Sequence, residues 1–265
     1  MSIVLAAEDI AISFGSNHVL KSVSFVLGEG EVLGVIGPNG AGKTVMLNVI
    51  AGILKPDKGR LSFRGQDIFR YSVAQRARIG IGCTFQIPRP FSHMTVYENC
   101  LVGAVFGCGL SERAAGRRVH EIFDLIGLAH KKRDFAGKLS LLDRKRLEIG
   151  MALASEPKVL LLDEVAGGLT ESEVTEILKI VAHIKYSGVG IIWIEHVLQT
   201  MLHGTDRVML LAEGENILCG PPDEVMASPE VEMVYLGVAE KAPGKRRKIA
   251  LASIAPAEGN VGNHE

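Results

Sequence analysis

The chain lacks the features that would mark a secreted, membrane-spanning or nucleic-acid-coating protein. Its four cysteines, Cys83, Cys100, Cys108 and Cys219, are scattered and form no C-x-x-C pair. They read as reduced core thiols of a cytoplasmic protein rather than a disulfide framework. No apolar run reaches the roughly 18 residues of a membrane span; the longest candidate, Cys100 to Leu110, is short and broken by glycine. The N-terminus, Met1-Ser2-Ile3-Val4-Leu5, has neither a basic flank nor a cleavage site, so no signal peptide is expected. A formal net charge of −1 argues against a nucleic-acid partner bound through bulk positive charge. There is no internal repeat. What remains is 265 residues, 47% hydrophobic and 22% charged, with ample material for a core in one large domain or two small ones.

What is present is concentrated in one segment. Gly37-Pro38-Asn39-Gly40-Ala41-Gly42-Lys43-Thr44 fits G-x-x-x-x-G-K-[ST], the phosphate-binding P-loop. Val32-Leu33-Gly34-Val35-Ile36 before it reads as a buried strand, and Val45-Met46-Leu47-Asn48-Val49-Ile50 after it as a helix. Glycines let the backbone curl until several N–H groups point at one anion. The helix N-terminus adds the positive end of its dipole. Lys43 can then reach the β- and γ-phosphates of a nucleotide, and Thr44 can ligate Mg2+ through its hydroxyl. A Gly-rich turn can match the pattern by chance, so the rest of the chain has to decide.

Asp9 to Phe14, Val19 to Leu27, Glu31 to Ile36 and Arg60 to Phe63 read as short strands with Gly-rich turns between them. Ile79 to Phe85 reads as another strand, ending at Gln86. Val96 to Phe106, Glu112 to Gly127 and Leu139 to Ala154 carry helical spacing of apolar residues, which predicts an all-helical insertion over about residues 92–155. Alternation then resumes with strand Val159 to Leu162, helix Glu171 to Tyr186, and strands Gly190 to Ile194, Val208 to Leu211 and Asn216 to Cys219. A further helix starts near Pro221-Pro222-Asp223. This pattern argues for an α/β fold with a largely parallel sheet. From about Gly237 it fails, and residues 238–265 read as a poorly ordered tail. Its basic cluster, Lys245-Arg246-Arg247-Lys248, is either solvated or in contact with anionic lipid.

A P-loop needs a second acid to hold Mg2+. Val159-Leu160-Leu161-Leu162-Asp163-Glu164 is an apolar strand ending in two carboxylates, where open α/β sheets place their ligands. Asp163 is then the Mg2+-side carboxylate, acting through water. Glu164 is placed to orient or deprotonate an attacking water. His196 follows the strand Ile191-Ile192-Trp193-Ile194 and Glu195, at the same end of the sheet. There it can hydrogen-bond a γ-phosphate and help sense hydrolysis, although a lone His at a strand end is often an ordinary residue. The Gln86 amide can contact Mg2+ or the lytic water and so link nucleotide state to movement of the insertion. Phe14 offers a flat face for adenine; as a lone aromatic it reads more readily as core.

Taken in this order, these residues resemble the ATP-binding cassette (ABC) ATPases over about residues 1–237. Gly37 to Thr44 is similar to their Walker A and Val159 to Glu164 to Walker B with its catalytic glutamate. Gln86 is similar to the Q-loop, His196 to the switch histidine and Phe14 to the adenine-stacking aromatic. Leu139-Ser140-Leu141-Leu142-Asp143 falls where the signature, LSGGQ in most members, belongs. The resemblance implies a P-loop NTPase of the ABC type. Such a fold has a mostly parallel core sheet, an N-terminal antiparallel β subdomain and an inserted α-helical subdomain. It implies ATP and Mg2+ as cofactors, and two cassettes closing head to tail so that Ser140 reaches the ATP held by the partner. It also implies membrane permease subunits as partners, with the chain peripheral at the cytoplasmic face of the inner membrane and no nucleic acid involved.

The chain departs from that pattern at Leu141, Leu142 and Asp143, at Val165 where proline is usual, and at Thr170 where Asp or Asn is usual. Its own Walker site looks intact, while the site it completes for a partner is altered. Weak or partner-dependent hydrolysis is therefore expected. Thr84-Phe85-Gln86-Ile87-Pro88-Arg89-Pro90-Phe91, Met94-Thr95-Val96-Tyr97-Glu98-Asn99 and the ending Tyr235-Leu236-Gly237 resemble a variant branch of the branched-chain amino-acid importer ATPases. Those importers also use a periplasmic binding protein. The alternatives are the ATPase of a lipid or lipopolysaccharide exporter, a soluble regulatory ABC protein with weak hydrolysis, and an ABC protein acting on DNA or translation. The single cassette and short insertion speak against the last.

Overall fold

In the computed structural model, which describes residues 2–84, 86 and 89–236, the chain opens with a long hairpin, β1 (Ile3–Phe14) and β2 (Asn17–Gly28). The expected first strand begins six residues earlier than Asp9, because Val4, Leu5 and Ala7 already face inward. Asp9 has φ 49° and lies at a register shift between Ala7 and Ile10, so the strand carries a bulge there. The chain continues through β3 (Val32–Ile36), the P-loop, α1 (Lys43–Ala51), β4 (Lys58–Phe63) and β5 (Gln66–Asp67).

The next segment corrects the sequence reading. Ile79 ends a helix, α2 (Val73–Ile79), and the strand, β6, is only Ile81–Cys83. Ser72 and Gln75 form a reciprocal capping box at the start of α2, and Gly80 stops it in the left-handed conformation. Arg76 on α2 is buried and donates to the carbonyls of Val49 and Ile50, so a cation closes the C-terminal end of α1. Phe85, Ile87, Pro88 and the tail from Gly237 lie outside the described residues.

The helical insertion is α3 (Val96–Val102), which runs into a π turn over Gly103–Gly107, then α4 (Glu112–Ile126) and α5 (Leu141–Ala154). It stands between β6 and β7 (Val159–Asp163). There follow α6 (Glu171–Tyr186), β8 (Gly190–Ile194), α7 (Leu198–Gly204), β9 (Arg207–Ala212), β10 (Glu215–Gly220), α8 (Pro222–Met226) and α9 (Pro229–Leu236). The short α7 and α9 are not apparent in the periodicity.

Among the described residues, ten strands join one sheet in the order β5-β4-β1-β2-β10-β9-β3-β8-β7-β6. The β1, β2, β4 and β5 half is antiparallel, and β9, β3, β8, β7 and β6 run parallel. A single parallel pair, Glu215 with Ser22, joins the halves. The central strands β3, β7 and β8 are buried along their whole length, as expected with helices or sheet on both faces. Their side chains alternate between two cores: Leu160, Leu162, Ile191 and Trp193 face the helical insertion and α6, while Val159, Leu161, Ile192 and Ile194 face α1 and the antiparallel half. The registers Val35 to Ile194, Ile194 to Asp163 and Leu161 to Cys83 bring the carboxyl ends of β3, β8, β7 and β6 to one edge. That edge carries the loops that hold the predicted site residues.

Candidate functional site

Two of the P-loop glycines have no room to be anything else. Gly37 has φ 152°, and a Cβ there would lie 2.0 Å from the Leu211 carbonyl oxygen. Gly42 has φ 101°, and its Cβ would meet Leu20 at 2.6 Å and the Val19 carbonyl oxygen at 3.0 Å. Between them, Asn39 and Gly40 are exposed. Gly42 begins α1 with no side-chain cap and no acidic residue in the first turn, which leaves the leading amides available to an anion. The Lys43 ammonium is folded back over the loop, donating to the carbonyls of Gly37 at 2.7 Å and Pro38 at 3.0 Å. Burial pulls the Lys43 pKa below its ordinary value, and the Glu164 and Asp163 carboxylates oppose that shift.

Asp163 ends β7 beside Thr44. It is buried, and its Oδ1 has no hydrogen-bond partner. Burial, and then the neighbouring charge of Glu164, push its pKa up; the Thr44 hydrogen bond, Lys43 and His196 act the other way. An orphaned buried carboxylate oxygen next to a threonine hydroxyl fits a small hard cation. Among the described residues no cluster of three or more His, Cys, Asp or Glu side chains forms a metal cage.

Glu164 is the meeting point of the other loops. Its Oε2 accepts from Gln86 Nε2 at 2.8 Å, and its Oε1 lies 2.7 Å from His196 Nε2. Gln86 follows β6, Glu164 follows β7 and His196 follows β8, so three adjacent strand ends converge on one carboxylate. Glu164 itself has φ 52°, a conformation that non-glycine residues seldom adopt.

Two expected residues stand apart from this cluster. Phe14 is half exposed at the end of β1, so it is not core; the return strand β2 brings Val19 and Leu20 against Gly42. Ser140 is the N-cap of α5: its Oγ accepts from the Asp143 amide at 3.2 Å and donates to the Asp143 carboxylate at 3.0 Å. Leu142 is half-buried against the apolar core, and Leu141 is exposed. Thr170 likewise caps α6 in a box with Glu173.

Residues 20–167 match the ABC transporter family. The chain is an ABC-transporter ATP-binding subunit. As an ABC ATPase it is an ATP-hydrolysing enzyme. It is 32% identical over 234 residues to the lipopolysaccharide export system ATP-binding protein LptB of Haemophilus influenzae, a match spanning 88% of this chain and 97% of that protein. It is 34% identical over 251 residues to the probable branched-chain amino acid transport ATP-binding protein LivG of Methanocaldococcus jannaschii, again 88% and 97%. Among solved structures, the ADP conformation of MJ1267, an ATP-binding cassette of an ABC transporter, superposes with a TM-score of 0.83 at 32% identity, covering 89% of this chain and all of that one. The fold is that of the ABC ATPases, with the antiparallel N-terminal β region and the mostly parallel core sheet.

Two residues that sequence reasoning missed support this ABC site. Tyr235 on α9 accepts the buried Gly37 N–H at 2.9 Å, so the last described helix braces the start of the P-loop. No local pattern signals a tyrosine two hundred residues from its partner. Tyr235→Phe leaves that N–H without its acceptor and is expected to lower stability by about 1 kcal/mol. The urea midpoint measures it, and an unchanged midpoint rejects the brace. The second residue, Lys145, donates to the Glu164 carbonyl at 2.8 Å.

Proposed function

We propose that the chain binds Mg-ATP at the P-loop and hydrolyses it as one of two cassettes clamped head to tail, driving a membrane transporter. The observation that carries this reading is the convergence of Lys43, Thr44 and Asp163 with the Glu164, Gln86 and His196 cluster at one end of the sheet. In this reading the amides of Gly40 to Thr44 and the Lys43 ammonium hold the β- and γ-phosphates. Thr44 and Asp163 hold Mg2+, with Gln86 beside it, and the ion neutralises charge on the phosphate oxygens when bound. Glu164 takes the proton of the attacking water, and Gln86 and His196 aim its carboxylate. Phe14, exposed at the end of β1, stacks on adenine in this reading.

Ser140 reaches the partner's ATP in the same reading, yet here its hydroxyl proton is held by the buried Asp143 carboxylate, which Lys131 and Arg146 also pair. Alone, the chain is expected to bind Mg-ATP and hydrolyse it slowly, with a second cassette of intact signature raising the rate on the order of 10-fold or more. Leu142 packs on the core, so Leu142→Gly is expected to leave that slow rate unraised. A steady-state rate of the chain alone equal to that of an intact homologue rejects the impaired signature.

None of these residues touches cargo, which is recognised by other subunits. Among the described residues no helix is long and apolar enough to cross a membrane, which suits a peripheral subunit at the cytoplasmic face. The LptB relatives favour export of a lipid or lipopolysaccharide over the import reading taken from the sequence. Import of branched-chain or related amino acids, with a periplasmic binding protein acting indirectly, is the second reading. It keeps the support of the LivG relative and of the segments around Gln86 and Met94. Purifying the membrane complex and identifying its subunits separates the two. Import permeases in the complex reject export, and lipid-transport partners reject import.

A further inference from the structure

We propose that Lys145 and Glu195 are positioning residues that clamp the loop after β7 and fix the Glu164 carboxylate; this rests on Glu164 being the hydrolytic base. Glu164 has a positive φ, a conformation that a non-glycine residue keeps only where the surroundings over-determine it. The surroundings here are specific. The Glu164 N–H donates to the Ile194 carbonyl at 3.0 Å, and its carbonyl accepts from the Lys145 ammonium at 2.8 Å. Two residues on, the Ala166 N–H donates to Glu195 Oε1 at 2.6 Å, which also accepts from the Trp193 indole at 3.1 Å.

Both clamping groups are charged and almost wholly buried, with 4% of Lys145 and 1% of Glu195 exposed. Burying an ammonium or a carboxylate is expensive unless each is held by specific partners, as both are here. Burial draws the Lys145 pKa down and the Glu195 pKa up, and each is the other's charge partner, Glu195 being the strongest carboxylate influence on Lys145. Their origins give the clamp a direction. Lys145 belongs to α5 of the helical insertion, five residues after Ser140. Glu195 immediately precedes His196, which lies against the Glu164 carboxylate. Thus one ammonium carries the position of the insertion to the backbone of the base, and one carboxylate ties the loop to the strand end that bears His196. Moving α5 away from β7 withdraws the Lys145 bond and frees Glu164 to leave its strained, aligned state.

The test uses the full chain purified with its co-eluting subunits, Mg-ATP as substrate, and calorimetry for nucleotide affinity. Lys145→Met is expected to lower kcat on the order of 10-fold to 100-fold, as for a misplaced catalytic group, with KM and ATP affinity within about twofold. Lys145→Arg, which keeps a donor in reach of the Glu164 carbonyl, is expected to recover at least half of the lost rate. Glu195→Gln keeps an acceptor for the Ala166 and Trp193 N–H groups and is expected to hold most of kcat, whereas Glu195→Ala loses it. This pair tests the clamp from its other end if Lys145→Met does not fold. Full kcat in Lys145→Met while Glu164→Gln is inactive overturns the clamp alone, as does equal loss in Lys145→Arg and Lys145→Met. An unchanged rate in Glu164→Gln overturns the base assignment and the clamp together.

Discussion

Glu164→Gln is expected to reduce single-turnover ATP hydrolysis by about 100-fold or more, the usual weight of a general base, while Mg-ATP affinity holds. The substitution is close to isosteric. The glutamine carbonyl can accept from Gln86, and its amide can donate to His196 Nε2 when the imidazole proton sits on Nδ1, so both contacts at Glu164 survive. What disappears is the ability to accept a proton. Rapid-quench measurement with enzyme in excess over ATP separates this from product release. A wild-type rate in that experiment would remove Glu164 from the chemistry and leave the Glu164, Gln86 and His196 cluster as scaffolding.

Lys43→Ala is expected to act earlier, lowering Mg-ATP affinity on the order of 100-fold, the scale of one or two charge-assisted hydrogen bonds to phosphate. The fold has little reason to suffer. In the free chain the ammonium carries a burial penalty, visible as its lowered pKa, and the two carbonyls it contacts lie beside the exposed tip of the loop. Loss of the penalty and loss of two hydrogen bonds offset one another. Calorimetric titration with Mg-ATP beside a thermal melt distinguishes the cases. Unchanged affinity with an unchanged melt would show that the loop grips no triphosphate. Lys43→Arg is not a neutral control, because a planar fork does not replace a compact ammonium at a tight loop.

Much of this site was legible because its chemistry is local in sequence. The P-loop, the Asp163-Glu164 pair and the buried runs at Val32, Val159 and Gly190 each declare themselves within a few residues, and parallel pairing then places their ends side by side. Residues joined by tertiary contact were not legible. Tyr235 meets Gly37, and Lys145 meets Glu164, across spans that no periodicity encodes. Helix α2 is missed, and only its last residue, Ile79, falls in the expected strand, for a different reason: it has a single buried residue, Arg76, so no apolar stripe marks it. Its capping box and terminal glycine were the available signal. The degenerate signature was legible as a departure, but that Asp143 would take the Ser140 hydroxyl, and that Leu142 would turn toward the core, required coordinates.

The margins of the sheet have a colloidal consequence. Strand β5, at one border, is two residues long and polar, and β6, at the other, is three. An open row of amides and carbonyls invites a stranger's strand to zip alongside, and stubs of this length offer almost nothing to zip to. Ladder-type pairing with another chain is thereby disfavoured at both borders of the sheet.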